Sequence, residues 1–243
     1  MKDLLHDVVR QTAPLFDKIR VTGGFGTIKV EAHTEDKMLF LVADLTADLP
    51  DLAGEFGLSN LALLKGLLEF ASYKADNAKF LVRRVTRDDL DYVSELEFSG
   101  GGGRASFKTI SPKMIGDKAK IAEINWDVAV TPSKAKLTEV MQLTGMLSQI
   151  EQHFAVSYEE RTLLLTIGGK GATNHTATVA LAHDIACGPL PSKMAFKAPQ
   201  FLGVLKMVGN WPCLVRFAKD GLGSVLINTD HGVYNYILRG TEG

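Results

Sequence analysis

Residues whose types could support catalysis do not form a recognisable catalytic motif in this sequence. Residues 168–171 (Gly-Gly-Lys-Gly) lack the spacing and the Ser or Thr of a phosphate-binding loop, and their glycines favour a hairpin turn. The six histidines show no HExxH or paired metal spacing. His183 and Asp184 are neighbours on a predicted strand, so their side chains should point to opposite faces. The sequence therefore favours a protein that is not an enzyme and needs no cofactor or metal.

Two lysines occupy matching positions in a short sequence motif that occurs twice. Residues 61–65 read Leu-Ala-Leu-Leu-Lys and are followed by Leu-Val-Arg at 81–83. Residues 202–206 read Leu-Gly-Val-Leu-Lys and are followed by Leu-Val-Arg at 214–216. Each copy predicts a short apolar helix with one lysine, then a loop and a strand. Two copies about half a chain apart indicate one domain used twice.

Composition limits the classes of protein that the chain can represent. Its 243 residues, 46% of them hydrophobic, suffice for one large domain or two ordinary ones. The net charge of −1 excludes a basic excess over the whole chain, so a nucleic-acid surface would need unevenly distributed charge. Cys187 and Cys213 are interpreted as buried residues in a reducing compartment. Without an apolar run of about 20 residues or a signal peptide, a soluble cytoplasmic protein is expected.

The predicted elements follow the same order in both halves. Periodicity predicts helices at 2–12, 59–71, 132–149 and 199–208. Ser59 or Asn60 is the predicted cap of the second helix, and Ser133 lies near the start of the third. Predicted strands lie at 16–21, 27–33, 38–45, 78–85, 92–98, 104–110, 123–130, 154–159, 161–167, 176–183, 213–218, 224–228 and 233–238. Residues 47–57 are predicted to be a loop.

A connector separates the halves at residues 111–122, between a domain at 1–110 and a domain at 123–243. Turn and polar residues dominate the connector, but Met114 and Ile115 are apolar. Two interpretations stay open here: a plain linker, or a segment on which another molecule docks.

This organisation resembles the DNA sliding clamps. The likeness is greatest to the clamps of T-even and related bacteriophages and extends to the proliferating cell nuclear antigen (PCNA). This resemblance rests on the repeated motif, on Ala-Val-Thr-Pro-Ser at 129–133 and on Val-Tyr-Asn-Tyr-Ile-Leu at 233–238. The resemblance implies an α+β fold with two similar helix-on-sheet domains per chain, and a closed ring formed by a head-to-tail homotrimer.

The function implied by this resemblance is topological. The ring would encircle double-stranded DNA without sequence preference and give processivity to a DNA polymerase, which, like the clamp loader, would bind through a short peptide tail. No membrane is involved. The implied DNA-facing side chains are cations on or beside the four helices: Lys65, Lys206, Lys134, Lys136, Lys2 and Arg10. Glu139, Gln142, Asp3 and Asp7 depart from a strongly basic lining.

The resemblance also implies a partner-peptide pocket and a subunit interface. The pocket would gather apolar residues, although Phe40, Ile237 and Leu238 also suit an ordinary core. Its candidates are Met38, Phe40, Met114, Ile115, Ile237 and Leu238. The interface would join residues 104–110 of one protomer to 176–183 of the next, with these candidates: Ala105, Ser106, Phe107, Lys108, Thr178, Val179, Ala180 and Leu181.

A different class of protein also fits duplicated sheet domains. The chain could be a β-rich viral structural or assembly protein that does not encircle DNA. That alternative predicts no concave basic surface and no salt-sensitive interaction with DNA.

Overall fold

The structure is a computed structural model that divides into two compact units. It describes residues 1–75, 77–87, 90–116, 118, 122–149, 151–168, 175–188, 190 and 194–242. The N-terminal unit consists of Met1–Thr34, Leu41–Ala119 and Asp230–Tyr234. The C-terminal unit consists of Glu35–Phe40, Lys120–Thr229 and Asn235–Gly243. Both combine helices with antiparallel sheets, which confirms the predicted α+β class.

Among its described residues, the N-terminal unit contains three α-helices and two groups of strands. Its helices are α1 (Lys2–Thr12), α2 (Leu61–Glu69) and α3 (Ala71–Lys74). Its strands are β1 (Lys18–Gly23), β2 (Thr27–His33), β3 (Leu39–Thr46, of which the first two residues belong to the C-terminal unit), β4 (Gly54–Ser59), β5 (Lys79–Arg87), β6 (Leu90–Gly100) and β7 (Gly103–Lys108). The first group has the order β4-β1-β2-β3, and the second is a three-stranded sheet in the order β5-β6-β7.

Apolar spacing explains how α1 and α2 pack. Leu4, Leu5, Val8 and Val9 are buried on one face of α1, as the periodicity predicts. On α2 the buried residues are Leu61, Leu64 and Leu68, which share one face at intervals of three and four. The two helices contact each other.

The C-terminal unit has two longer helices and the remaining strands. Its helices are α4 (Lys134–Leu147) and α5 (Ala198–Val208). Its strands are β8 (Val128–Val130), β9 (His153–Glu159), β10 (Thr162–Gly168), β11 (Thr176–Ala182), β12 (Met194–Lys197), β13 (Cys213–Ala218), β14 (Leu222–Thr229), β15 (Gly232–Arg239) and β16 (Thr241–Glu242). One group runs β8-β13-β14-β15, with β15 beginning in the N-terminal unit; the other is a five-stranded sheet ordered β11-β10-β9-β12-β16.

Four phenylalanines form the centre of the C-terminal core. The ring of Phe154 lies 4.7 Å from that of Phe201 and 5.5 Å from that of Phe196, which is also 5.5 Å from that of Phe217. These residues come from β9, α5, β12 and β13, so the cluster joins α5 to strands of both groups. Such aromatic burial is a large part of the hydrophobic free energy of a domain core. α4 packs on α5, β10 and β11.

The structure differs from the sequence predictions at several strands. Part of the predicted loop 47–57 belongs to β4, which pairs with β1 in register from Lys18↔Ser59 to Gly23↔Gly54. β12 was not predicted, although it pairs with β9. The predicted strand 123–130 is reduced to β8. Glycines and acids hide β4 from periodicity, and its strand partner supplies the stabilisation that its local sequence does not.

Helix starts agree with the sequence in position and differ in mechanism. Ser133 is the N-cap of α4, and its Oγ accepts a hydrogen bond of 3.2 Å from the Lys136 amide. Asn60 is the N-cap residue of α2 but makes no side-chain cap bond; it lies in the left-handed region at φ 52°. Asn tolerates that region better than most residues. Within the described residues, no helix is both long and apolar enough to cross a membrane.

Candidate functional site

The predicted DNA-facing cation of α2 is half-buried and lies near an acid. Lys65 Nζ is 4.0 Å from Glu69 Oε1, one turn further along the helix. Glu69 is also 3.6 Å from His6 Nε2 of α1. Leu64 is buried beside Lys65, so the helix keeps its apolar face in the core while the lysine remains partly accessible. A nearby carboxylate reduces the positive potential that Lys65 presents to solvent.

Both cations of α1 are also engaged inside the N-terminal unit. Lys2 Nζ donates to the backbone carbonyl of Tyr73. Arg10 Nη2 is 2.9 Å from Asp7 Oδ1, and Asp7 Oδ2 accepts a 3.0 Å hydrogen bond from the Tyr234 hydroxyl. The aspartate that dilutes the charge of α1 in sequence is thus buried and has a structural role.

The cations of the C-terminal helices differ in their environments. Lys134 Nζ donates to Asn210 Oδ1 at 2.6 Å, and Lys136 Nζ is 2.6 Å from Glu139 Oε2. Lys206 is exposed on α5, a helix without an acidic residue. In the described part of the chain, Lys206 has no hydrogen-bond or ion-pair partner. The structure therefore leaves Lys206 as the most available of the candidate cations.

The pocket candidates of the N-terminal unit lie in a short 3₁₀ turn, Pro112–Ile115, within the predicted connector. The Met114 side chain is 62% exposed. Ile115 turns inward: its Cδ1 and the Ile110 side chain occupy the space that a Cβ at Gly57 would need. Gly57 also exchanges backbone hydrogen bonds with Ile110, at 2.8 and 2.9 Å. The turn is thus anchored by Ile115 and presents Met114 to solvent.

Charged residues fix the start of this connector. The buried Arg20 guanidinium pairs with Glu55 and donates to the carbonyls of Pro112 and Gly116. Lys118 Nζ lies 2.9 Å from Glu55 Oε2. Hydrogen bonding from Lys118, opposed by burial and assisted by Arg20, lowers the pKa of the Glu55 carboxyl. Sequence reasoning did not identify this cluster, because Arg20 and Glu55 are 35 positions apart and belong to no motif.

The other four pocket candidates lie in the C-terminal unit. Ile237 and Leu238 are only 4% and 2% exposed, which agrees with their alternative interpretation as core. Met38 and Phe40 are half-buried. The Met38 carbonyl accepts a 2.9 Å hydrogen bond from the Arg239 amide, so residue 38 lies beside the end of β15.

Both predicted interface segments are edge strands. β7 lies at one edge of the three-stranded sheet, and β11 at one edge of the five-stranded sheet. Along each, inward residues such as Phe107 and Val179 are buried, while outward residues such as Lys108 and Thr178 are exposed. An edge strand has backbone N–H and C=O groups that can pair with another chain.

Within the described ranges, no three His, Cys, Asp or Glu side chains are grouped so that they could hold a metal ion. β11 ends at Ala182, so His183 and Asp184 lie in a bend and not on the strand that was predicted. His183 Nδ1 is 3.3 Å from Thr162 Oγ1. Of the glycine-rich segment 168–171, only Gly168 lies within the described residues.

Comparison with known proteins identifies the fold. No family model matches the chain, and no curated protein matches it. Among solved structures, a PCNA from Thermococcus kodakaraensis superposes with a TM-score of 0.73 at 10% identity, over 99% of this chain and 97% of that one. The A. fulgidus PCNA bound to the C-terminal region of FEN-1 gives a TM-score of 0.71 at 13% identity, over 99% and 96%.

The protein therefore has the sliding-clamp fold, as the sequence resemblance predicted. The particular fold is that of PCNA, which matches over nearly the full length of both chains. Identities of 10% and 13% show the fold alone. The greater likeness to bacteriophage clamps stays a prediction.

Proposed function

We propose that this protein is a sliding clamp, which encircles duplex DNA and tethers a DNA polymerase to it. The observation that carries the proposal is the match in fold to PCNA over 99% of the chain. A clamp acts by topology and does not catalyse a reaction, so we expect no enzymatic activity and no cofactor. Its place of action is the compartment where DNA is replicated, which we take to be the cytoplasm, of the host cell if the protein is viral.

The assembly that we propose is a head-to-tail homotrimer. β7 and β11 are edge strands in different units of the chain, so each protomer could offer one edge and accept the other. Pairing these edges across protomers would satisfy their free backbone groups. We retain the domains at 1–110 and 123–243, with the connector at 111–122, as part of this proposal.

Contact with DNA is assigned to the helices. A clamp must slide, so its cations should touch phosphates weakly and without reading bases. α5 has one lysine and no acid, and α4 has two lysines and one glutamate, whereas α1 and α2 each balance their charges. We therefore assign the main phosphate contacts to Lys206 and Lys134, with Lys136, Lys65, Lys2 and Arg10, each bound to or near another group of the chain, as weaker contributors.

Partner proteins are assigned to the connector. The A. fulgidus PCNA binds the C-terminal region of FEN-1, which supports a site for protein tails on a chain of this fold. On this chain the exposed Met114 offers an apolar contact on an anchored turn. Polymerase and clamp-loader tails would use this contact, with Met38 and Phe40 as further candidates.

Sedimentation equilibrium tests the assembly. The expected species has about three times the 26.4 kDa chain mass at high protein concentration. Thr176→Lys with Thr178→Lys adds two charges to β11, and β7 already exposes Arg104, so like charges should shift the equilibrium to monomer. Thr131→Lys with Thr138→Lys, in the loop before α4 and on α4, is the matched control. A strictly monomeric parent protein at high concentration would contradict the proposed ring.

Processive synthesis by the cognate polymerase and loader on primed circular DNA tests the function. Lys65→Glu with Lys206→Glu should shorten the products at moderate salt, because charge reversal removes phosphate contacts. Lys37→Glu with Lys219→Glu changes the net charge equally at exposed positions outside the helices and should preserve product length. A parent protein that never lengthens the products would instead support the structural or assembly alternative.

A further inference from the structure

One arginine of the C-terminal unit lies on the sheet face turned away from the core. Val215 and Phe217 of β13 are buried, and by strand alternation Arg216 between them points to the other face. In register, Arg216 stands between Ala129 of β8 and Ser224 of β14. Its side chain is neither fully buried nor fully exposed.

Neutral groups hold the Arg216 guanidinium in a defined orientation. Its Cζ lies 4.4 Å from the centre of the Trp126 ring, which is a cation–π contact. Nη2 donates to Ser224 Oγ at 2.9 Å and to Asn235 Oδ1 at 3.1 Å. Ser224 Oγ also donates to Asn235 Oδ1 at 2.6 Å, so the two polar partners form one network. The guanidinium is thus stacked on one side and fixed at one end.

No carboxylate neutralises this charge within the described part of the chain. The contrast is with Arg20, which pairs with Glu55. The carboxylate nearest in sequence to Trp126, Asp127, accepts a 2.7 Å hydrogen bond from the Lys219 amide. Burial alone lowers the pKa of Arg216, with no opposing influence from an acid.

The hydrogen-bonding capacity of Arg216 is also incompletely used. Its Nε is buried and has no hydrogen-bond partner among the described residues. A partly buried cation without a counter-ion and with an unused donor is costly in a native protein. Such a group in a native structure requires an explanation, and an anionic ligand that neutralises the accessible part of the guanidinium is one.

We propose that Arg216 and Trp126 form a binding site for a carboxylate of a partner protein. The planar guanidinium matches a carboxylate, and Arg and Trp are both enriched at the energetic centres of protein interfaces. A nucleic acid needs a row of cations, whereas the residues paired in register with Arg216 are the neutral Ala129 and Ser224. The site therefore suits a single acidic side chain or chain terminus, and it does not depend on the proposed clamp function.

NMR titration of the full-length protein tests this site. Acetyl-Glu-Leu-amide is the probe, and acetyl-Gln-Leu-amide is its uncharged match. The acidic probe should shift the Trp126 indole N–H and Arg216 Nε–H signals saturably, with weaker binding at high salt, and the Gln probe should not. Equal responses to the two probes would overturn the proposal, as would tighter binding of inorganic phosphate.

Variants identify the residue responsible. Arg216→Gln should weaken binding of the acidic probe about tenfold (about 1.4 kcal/mol). Arg216→Lys should bind the probe with an affinity between those of the parent protein and Arg216→Gln, because a lysine keeps the charge but lacks the paired N–H donors of a guanidinium. Trp126→Leu keeps the cation and should weaken binding less than Arg216→Gln does. Unchanged affinity in a folded Arg216→Gln protein would overturn the assignment; if this variant does not fold, the two probes on the parent protein and on Trp126→Leu decide it.

Discussion

The amino group of Lys65 lies 4.0 Å from the carboxylate of Glu69, one turn further along α2. Lys206 occupies the matching place in the repeated motif of α5. At the position four residues after Lys206, however, the chain has the neutral Asn210. The two lysines that look equivalent in sequence therefore differ in the positive potential that they present.

If the protein encircles DNA as we propose, this difference predicts an unequal contribution of the two lysines to DNA binding. Lys206→Glu should reduce clamp retention on DNA more than Lys65→Glu, and should lower the slope of log affinity against log salt by about one for each phosphate that is no longer neutralised. Glu69→Gln should strengthen retention, because it leaves Lys65 without its carboxylate. Salt titration of the variants on duplex DNA measures the order. Equal effects of the two lysine variants would show that the i,i+4 pair has no influence.

The Glu55 cluster predicts a pH-dependent stability. The pKa of Glu55 is lowered in the folded protein, so its stabilisation is fully present above the unfolded pKa of about 4.3 and is lost as pH falls through the lower folded value. Glu55→Gln should cost about 1–2 kcal/mol at neutral pH, because it removes charge-assisted bonds to Lys118 and Arg20.

Urea unfolding of the parent protein and Glu55→Gln at several pH values measures this effect. The difference in unfolding free energy should shrink below about pH 4. A difference that stays constant between neutral and acid pH would mean that the carboxylate charge is not the stabilising feature.

Close packing at Gly57 predicts a steric cost. A Cβ there would lie 2.5 Å from Ile115 Cδ1 and 2.7 Å from Ile110 Cγ1. Gly57→Ala should destabilise the protein by about 1–3 kcal/mol, and less in an Ile115→Ala background, where the first clash is absent. Gly66→Ala on α2 is the control, since a Cβ there meets nothing within 4 Å and should raise stability through helix propensity. An undiminished cost in the Ile115→Ala background would locate the strain elsewhere.

The two cysteines should react at different rates. Burial raises the pKa of Cys213 to about 11, so about one molecule in a thousand carries its thiolate at pH 8. Cys187 is half-buried, with a pKa raised by burial and then by Asp127. A thiol reagent at pH 8 should modify Cys187 first and Cys213 only on unfolding. Cys187→Ser should remove the early reaction and Cys213→Ser should keep it; the reverse would contradict the described burial.

Local periodicity was sufficient to predict features that depend on a single helix or hairpin. The apolar face of α1 appears in the structure where the sequence predicts it, and α4 begins at Lys134, two residues after the predicted start at 132. The hairpin of β9 and β10 also turns at residues 160–161, next to the predicted position. These features depend on contacts within a few residues or on a regular repeat, which one sequence displays directly.

The sequence patterns did not predict contacts between segments that lie far apart in the chain. β4 forms because β1 lies beside it, and β12 because β9 does, although neither segment has a clear strand pattern. The Arg20–Glu55 pair and the Arg216–Trp126 contact likewise join residues from separate elements. A sequence pattern does not encode which of many similar charges will meet.

The sequence by itself determined the α+β class, the repeated helix motif and the resemblance to sliding clamps, because these depend on the order and spacing of apolar residues. The tertiary structure decided how each lysine is used. Lys65 lies near Glu69, Lys2 binds a carbonyl and Lys206 stays exposed without an acid in its helix. The physical reason is that the interaction energy of a charge depends on its burial and on its distance from other charges, which only the folded chain defines.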